Sequence, residues 1–201
     1  MERLKRALAQ AHDWLHQVVR PGDTVVDATM GNGHDTALLA GLVGPVGRVV
    51  AFDIQADAVA RTAERLEAAG LRDRCVLVHE GHETMEKHLA DVLPVNGTLR
   101  ACVFNLGWLP GGDHGVGTCA DTTIRAAEAA LARLDPRGML LMVVYYGGRS
   151  GFAERDEVLA WAGALDCRRW TVQRTDFING ANCPPFLLAI EPNPAGKPKA
   201  E

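Results

Sequence analysis

The sequence has no long apolar segment and no paired cysteines. No stretch of its 201 residues is apolar for the length that a bilayer-spanning helix needs, and residues 1–20 carry charges where a signal peptide would be apolar. The five cysteines are scattered, without a Cys-x-x-Cys pair or another metal-binding spacing. We therefore expect a cytoplasmic protein with no membrane contact and no metal, in which reduced cysteines serve as small core residues.

An excess of positive charge is also missing. The formal net charge of −4 argues against a sequence-independent grip on nucleic acid by the whole surface. Two local basic clusters remain, and ordinary solvated faces account for both: Arg3, Lys5 and Arg6, and Arg168, Arg169 and Arg174. With 47% hydrophobic and 23% charged residues, the chain suits one α/β domain over residues 1–201 rather than two domains.

Strand-like and helix-like segments alternate along the chain. An amphipathic helix over residues 3–19 comes first, with these residues on its apolar side: Leu4, Leu8, Ala11, Leu15, Val18 and Val19. Short apolar runs predict strands at residues 24–28, 48–53, 75–79, 99–105, 139–145, 169–176 and 186–190. Helix-like stretches lie at residues 35–43, 56–69, 83–92, 121–134 and 152–165.

The order of these elements predicts the architecture. Parallel strands that are joined by helices form a sheet covered on both faces. The last two predicted strands have only residues 177–185 between them, so we expect them to be antiparallel. The prediction is a Rossmann-like, seven-stranded, mostly parallel α/β sheet with an antiparallel C-terminal hairpin, as in class I methyltransferases, and a loose tail at residues 192–201.

A glycine-rich loop follows the first strand and reads Asp27-x-x-x-Gly31-x-Gly33. Glycines there let the backbone approach a ligand at the carboxyl edge of the sheet. A dinucleotide fingerprint needs a third glycine where Thr36 stands, and Asp35 would repel a phosphate at the start of the helix. The loop instead resembles the first motif of class I methyltransferases, which predicts S-adenosylmethionine as the cofactor.

Two further positions are predicted to contact adenosine. Asp53 ends the second strand, where an acid can accept hydrogen bonds from both ribose hydroxyls. NAD enzymes also have an acid there, so Asp53 indicates adenosine rather than one particular cofactor. His82 lies after the third strand near the expected adenine edge, although a solvent-facing histidine is the commoner explanation.

The end of the fourth strand carries the predicted chemistry. Asn105 is followed three residues later by Trp108, and this spacing resembles the Asn-Pro-Pro-Tyr motif of amine methyltransferases. The Asn105 carbonyl can accept the hydrogens of an amine and aim its lone pair, and the Trp108 face can stabilise the positive charge that develops on nitrogen. Asparagine is not a base, so the amine must arrive unprotonated or lose its proton to water, Asp113 or His114. The alternative is that Asn105 caps a turn and Trp108 fills the core.

Several segments together resemble one bacterial family. They are residues 26–29 with 31–36, 51–55, 104–113, 177–179 and 184–186, which read VDAT, GNGHDT, AFDIQ, FNLGWLPGGD, FIN and PPF. They resemble the bacterial tRNA (5-aminomethyl-2-thiouridine) methyltransferases, long described as putative rRNA methylases. The resemblance extends from the first predicted strand to the last. The resemblance implies methylation of the aminomethyl nitrogen on the wobble uridine of certain tRNAs, with the anticodon region of tRNA as the partner.

The motifs and the resemblance together give three sets of candidate residues. The catalytic set is Asn105, Trp108 and Asp113. The set that binds the cofactor is Asp27, Gly31, Asn32, Gly33, Asp53, Gln55, His82 and Asn105. The set that binds the substrate is Trp108, Gly111, Gly112, His114, Asn179, Asn182 and Pro185, the last three forming a second wall of the same pocket. A homodimer would supply the RNA surface that one acidic subunit lacks.

Two positions depart from the family pattern. Trp108 stands where tyrosine is common, which keeps an aromatic face. Residues 146–149, Tyr-Gly-Gly-Arg, replace a stretch of the His-Gly-His type, so histidines that could bind RNA or move protons are missing.

Three other functions stay open. The first is an N-methyltransferase for rRNA, a protein or a small amine, which the net acidity mildly favours. The second is a nicotinamide dehydrogenase, whose short-chain type needs a lysine four residues after a tyrosine, where this chain has Arg149 after Tyr145 and Ser150 after Tyr146. The third is a binding module without catalysis, in which Asn105 and Trp108 only pack.

Overall fold

The computed structural model describes residues 4–108, 117–147 and 151–193. The helices are α1 (Ala7–Val18), α2 (His34–Val43), α3 (Ala56–Ala68), α4 (Met85–Val92), α5 (Ala120–Ala132) and α6 (Gly151–Ala164). The strands are β1 (Thr24–Asp27), β2 (Arg48–Phe52), β3 (Cys75–Val78), β4 (Leu99–Leu106), β5 (Leu134–Val144), β6 (Trp170–Thr175) and β7 (Phe186–Pro192). Two short 3-10 turns, Arg72–Arg74 and His82–Thr84, precede β3 and α4.

The seven strands form one sheet in the order β3-β2-β1-β4-β5-β7-β6. Strands β1 to β5 pair in parallel, whereas β7 is antiparallel to both of its neighbours, β5 and β6. The strand order reverses between β1 and β4, and the carboxyl ends of these two strands open onto a crevice there. The arrangement confirms the predicted fold class, including the antiparallel C-terminal hairpin.

Both faces of the sheet are buried. In β4, Cys102 and Phe104 belong to one apolar layer and Ala101 and Val103 to the other, because successive side chains of a strand point to opposite sides. Helices α4, α5 and α6 contribute to the first layer, and α1, α2 and α3 to the second. Burial on both sides explains why the central strands read as continuous apolar runs.

Helix α1 begins later than predicted. Leu4, expected on its apolar side, lies before the helix and is 75% exposed. Ala7 is buried in its place, on one line with the buried Ala11, Leu15 and Val19. A small alanine gives a weak apolar signal, so the four-residue spacing that starts at Ala7 was missed.

The boundary between α5 and β5 was also wrong. Helix α5 was expected to reach residue 134, but β5 begins at Leu134, five residues before its predicted start at residue 139. Leu134 pairs with Leu99 of β4 before a register shift. Pro136 and Gly138 follow, and from the sequence alone both favour a turn. The register shift between β4 and β5 accommodates both residues within the strand.

The cysteines follow the expectation only in part. Cys75 and Cys102 are buried, whereas Cys119 and Cys167 are exposed, Cys183 is half-buried, and all five are free. Within the described ranges, no helix is long and apolar enough to cross a bilayer. The same ranges contain no group of three or more His, Cys, Asp or Glu side chains placed to hold a metal ion.

Candidate active site

Asp27 anchors the loop that follows β1. Its side chain is fully buried, and its two oxygens accept hydrogen bonds from the backbone N–H of Thr29 at 3.1 Å and from the hydroxyl of Thr36 at 2.6 Å. Burial, assisted by the charge of Asp35, raises the pKa of Asp27 to about 7. Asp27 lines neither of the two cavities described below, so its predicted contact with the cofactor stays a prediction.

The two loop glycines, Gly31 and Gly33, have different structural roles. Gly31, with φ of 51°, lines both cavities, where a bare backbone can approach a ligand. Gly33, with φ of 76°, lines neither cavity and packs against α3, where an added Cβ would lie 2.7 Å from the hydroxyl oxygen of Thr62. Gly33 therefore sets how closely α2 and α3 pack. Asn32, between them, lines the second cavity rather than the first.

The first cavity, of about 290 Å³, lies at the carboxyl ends of β1, β2 and β4. Asp53 and Gln55 line it. The Asp53 carboxylate accepts the backbone N–H of Gly31 at 3.0 Å and that of Gln55 at 2.9 Å. Each carboxylate oxygen has a further lone pair, so Asp53 keeps its capacity to accept ribose hydroxyls.

His82 lines the same cavity and is 8% exposed, so the solvent-facing alternative is wrong. Its Nδ1–H donates to the carbonyl oxygen of Ala28 at 3.0 Å, which leaves Nε2 as an acceptor. Burial lowers the pKa of His82 and favours its neutral form. Nε2 is buried and has no hydrogen-bond partner among the residues that the structure describes, an arrangement that suits the amino group of a ligand.

The second cavity, of about 330 Å³, lies beside the first, between α1 and the start of α2. Leu8, Asp35 and Tyr145 line it and are absent from the first cavity. Five residues line both cavities: Thr29, Gly31, Asn105, Gly107 and Trp108. Asn105 and Trp108 therefore stand at the boundary between two neighbouring spaces.

Asn105 is held from two sides. Its backbone N–H donates to the hydroxyl of Thr29 at 2.7 Å, and its side-chain Nδ2 donates to Oδ2 of Asp35 at 2.7 Å. The other oxygen of Asp35 accepts Nε2–H of His12 at 2.7 Å. Burial alone would raise the pKa of Asp35, but the hydrogen bonds from His12 and Asn105 outweigh burial and lower it.

Trp108 is 38% exposed, which contradicts the alternative that its ring fills the core. It pairs as a β-bridge with Gly117. The hydroxyl of Thr118 accepts the backbone N–H of Gly107 at 2.9 Å and donates to the buried carboxylate of Glu154 at 2.7 Å. These contacts hold Gly107 and Trp108 next to Gly117 and Thr118. The predicted site residues Gly111, Gly112, Asp113 and His114 lie outside the described residues.

The loop at residues 177–185 contributes no residue to the two cavities. Asn179 and Pro185 line a separate hollow together with Leu4 and Arg6 at the start of the chain, and neither lines the second cavity. Asn182 lines none of these spaces; it is exposed and has a positive φ of 60°. The structure therefore does not bring these three residues into a shared wall with Asn105, and their contact with substrate stays a prediction.

Sequence reasoning missed Asp35 and His12. In sequence terms, Asp35 is an argument against a phosphate and part of the family segment 31–36, but not a predicted site residue, although its place beside the glycine motif is a signal. His12 gave none, because only the packing of α1 brings it 2.7 Å from Asp35, 23 residues further along.

The profile of the family described as "Putative rRNA methylase" matches residues 49–191. The chain belongs to this family. A second profile, of protein-L-isoaspartate (D-aspartate) O-methyltransferases, matches residues 5–89.

Three relatives extend the family match over nearly the whole chain. The tRNA (mnm(5)s(2)U34)-methyltransferase, chloroplastic, of Arabidopsis thaliana is 37% identical over 93% of this chain and 70% of its own length. A structure from Clostridium thermocellum, described as a putative rRNA-methylase, is 46% identical, with a TM-score of 0.90 over 96% of this chain and 100% of that one. A structure from Streptococcus mutans, described as a putative methyltransferase in complex with SAH, is 38% identical, with a TM-score of 0.84 over 94% of this chain and 99% of that one.

Membership makes the chain a methyltransferase that depends on S-adenosylmethionine, as predicted. The first cavity fits this cofactor. Asp53 would hold the ribose, and Nε2 of His82, which has no partner within the described ranges, would accept a hydrogen bond from the adenine amino group. Gly31 leaves room for the ligand to approach the backbone. The dehydrogenase alternative is therefore excluded.

Proposed function

We propose that this enzyme methylates the aminomethyl nitrogen of 5-aminomethyl-2-thiouridine at the wobble position of tRNA. The observation that carries the proposal is the boundary position of Asn105 and Trp108, which line both the cofactor cavity and the space beside it. A transfer reaction needs a substrate nitrogen held at such a boundary.

The chemistry follows from the side chains at this boundary. When bound, S-adenosylmethionine supplies a methyl group on a positively charged sulfur. The substrate nitrogen forms the new bond to carbon with its lone pair, the electrons of the old bond return to sulfur, and the positive charge moves to nitrogen. The Asn105 oxygen accepts an amine N–H and the Trp108 ring faces the developing cation. The extra proton of the product ammonium passes to water.

An amine attached to a nucleoside suits the second cavity. The volume of about 330 Å³ is in the range of small-molecule pockets, and its lining includes the apolar Leu8 and the aromatic Tyr145 beside the polar Asn105. The match to the Arabidopsis tRNA methyltransferase over 93% of the chain supports tRNA as the carrier. Anticodon binding, a cytoplasmic location and a homodimer that widens the RNA surface belong to the same proposal.

Transfer of a labelled methyl group tests the substrate. We expect label to enter tRNA that carries 5-aminomethyl-2-thiouridine, and no label to enter the same tRNA prepared without the aminomethyl group. Nucleoside digestion and mass spectrometry locate the methyl on the amine. Label in rRNA, protein or a free amine, with none in the aminomethyl tRNA, would replace this proposal with the broader N-methyltransferase.

Asn105→Ala tests the site. We expect turnover to fall about 100-fold, the range for removal of one well-placed hydrogen-bonding group, with the dissociation constant for S-adenosylhomocysteine changed by less than about threefold. Trp108→Phe, which keeps an aromatic face, should retain more turnover than Trp108→Leu. Unchanged turnover and unchanged substrate binding in Asn105→Ala would show that the catalytic role proposed for Asn105 is wrong.

A further inference from the structure

Asp35 is a buried carboxylate that lines the second cavity and contacts Asn105, yet the proposed chemistry gives it no role so far. We propose that Asp35 is a positioning residue, which orients the Asn105 amide toward the amine and strengthens its oxygen as an acceptor. The inference rests on the proposed function, because it concerns the same amine and the same amide.

Geometry fixes the orientation of the amide. A carboxylate can only accept hydrogen bonds, so the Asn105 atom that faces Asp35 at 2.7 Å must be Nδ2. Oδ1 is then the amide atom that can accept a hydrogen bond from an amine in the cavity. Without the carboxylate, the side chain could turn over and present donors to the amine, which would misplace its lone pair.

Charge adds a second effect. The lowered pKa keeps Asp35 ionised at neutral pH, where it is a weak base and a strong acceptor. A hydrogen bond to a charged acceptor polarises the amide and moves electron density onto Oδ1. As the amine becomes a cation, its N–H groups become better donors, so this interaction is stronger in the transition state than with bound substrate.

His12 completes the arrangement from α1. Its ring donates to the second oxygen of Asp35 at 2.7 Å, so both carboxylate oxygens are held and the group cannot rotate away from Asn105. The hydrogen bond to Asp35 raises the pKa of His12, although burial opposes the rise. A helix that precedes the β1 strand thus takes part in orienting a side chain at the end of β4.

Asp35→Asn tests the role in steady-state assays with the aminomethyl tRNA. The variant amide has one oxygen for two donors and no charge, so we expect kcat to fall about 30-fold or more while KM for tRNA stays within about threefold. The dissociation constant for S-adenosylhomocysteine, measured by calorimetry, should also change by less than about threefold. The matched control is Asp91→Asn, an exposed acid on α4, which should leave kcat unchanged.

A double-mutant cycle separates positioning from general support of the fold. If Asp35 acts through Asn105, then Asp35→Asn should lower kcat by less than about twofold once Asn105 is already alanine. A structural role would lower kcat by the same factor in both backgrounds, and that additive result would overturn the inference.

A second variant tests the inference in case Asp35→Asn fails to fold. His12→Leu removes one donor to Asp35 without touching the contact between Asp35 and Asn105. We expect kcat to fall about fivefold in the native background and to stay unchanged in Asn105→Ala. Equal losses in both backgrounds would refute the inference.

The outcomes for the two proposals can be distinguished. If the native enzyme leaves the tRNA amine unmethylated, the proposed function is refuted. If the native enzyme methylates the amine and Asp35→Asn has an unchanged kcat, only the role of Asp35 is refuted.

Discussion

At the scale of single residues, two buried carboxylates at the same loop have opposite pKa shifts. Asp35 has two side-chain donors, one of them a histidine, and its pKa is lowered despite burial. Asp27 has a hydroxyl and one backbone N–H, and burial raises its pKa to about 7. Each acid has two donors, so the kind and charge of the donors, together with the deeper burial of Asp27, decide which acid stays ionised near the site.

The raised pKa of Asp27 predicts a pH-dependent stability. Between about pH 4 and 7, the unfolded chain ionises this group while the folded chain keeps its proton, so stability is lost as the pH rises. Asp27→Asn keeps the shape and removes the titration. The melting temperature of the cofactor-free variant is compared with that of the native protein at each pH. We expect the difference, variant minus native, to be at least about 3 °C more positive at pH 8 than at pH 5.

Scanning calorimetry at both pH values measures this difference. Asp57→Asn serves as the control, because the Asp57 side chain is 84% exposed and its substitution should give the same difference at both pH values. An Asp27→Asn variant whose difference from the native protein is also constant would show that Asp27 is already ionised in the fold.

At the scale of elements, the start of α2 depends on one backbone conformation. Gly33 combines φ of 76° with close contact to Thr62 of α3, and both features exclude a side chain. The same residue is the N-cap of α2, the helix that carries Asp35. The angle at which α2 leaves the loop therefore determines where the carboxylate meets Asn105.

Gly33→Ala should destabilise the protein by about 1–3 kcal/mol, through strain at positive φ and the clash with Thr62. Gly41→Ala in the same helix is the matched control. Gly41 is exposed and an added Cβ meets nothing within 4 Å, so alanine there should stabilise by about 0.5–1 kcal/mol. Urea unfolding followed by circular dichroism measures both. Equal effects of the two substitutions would contradict the role of Gly33.

Local patterns predicted the strands, most helices and the part of the site that lies at strand ends. Asp53 and Asn105 could be found because parallel strands bring their carboxyl ends to one edge. The start of β5 could not be found, since its register depends on pairing with β4, 35 residues earlier. His12 and the hollow beside Asn179 also escaped, because each depends on contacts between distant segments.

At the scale of the whole molecule, Arg100 joins three parts of the sheet. It lies on β4 and donates to Asp23, just before β1, at 3.0 Å and to Asp135 of β5 at 2.9 Å. The Arg100 side chain is only 12% exposed and the two acids 18% each. Removal of the arginine would leave Asp23 without an ion-pair partner among the described residues, and would leave Asp135 only its longer contact of 3.6 Å to the exposed Arg137, at the edge of the sheet opposite the cavities.

Arg100→Leu should therefore lower the free energy of unfolding by about 2–4 kcal/mol. Arg125→Leu is the control, because its ion pair with Asp121 has both partners more than half exposed and should contribute less than about 1 kcal/mol. Urea denaturation at pH 7 compares the two. A loss below about 1 kcal/mol for Arg100→Leu would mean that water compensates both acids.

Helix α1 rests on β5 and β7, which are made more than 100 residues later in synthesis. A growing chain on the ribosome can form β1 to β4, which carry or precede Asp53 and Asn105, before β5 and β7 have been made for α1 to pack against. The contacts of α1 with β7 can form only after this last strand has been made. The packing that holds α1, the helix that carries His12, is therefore completed only after synthesis has passed the final strand.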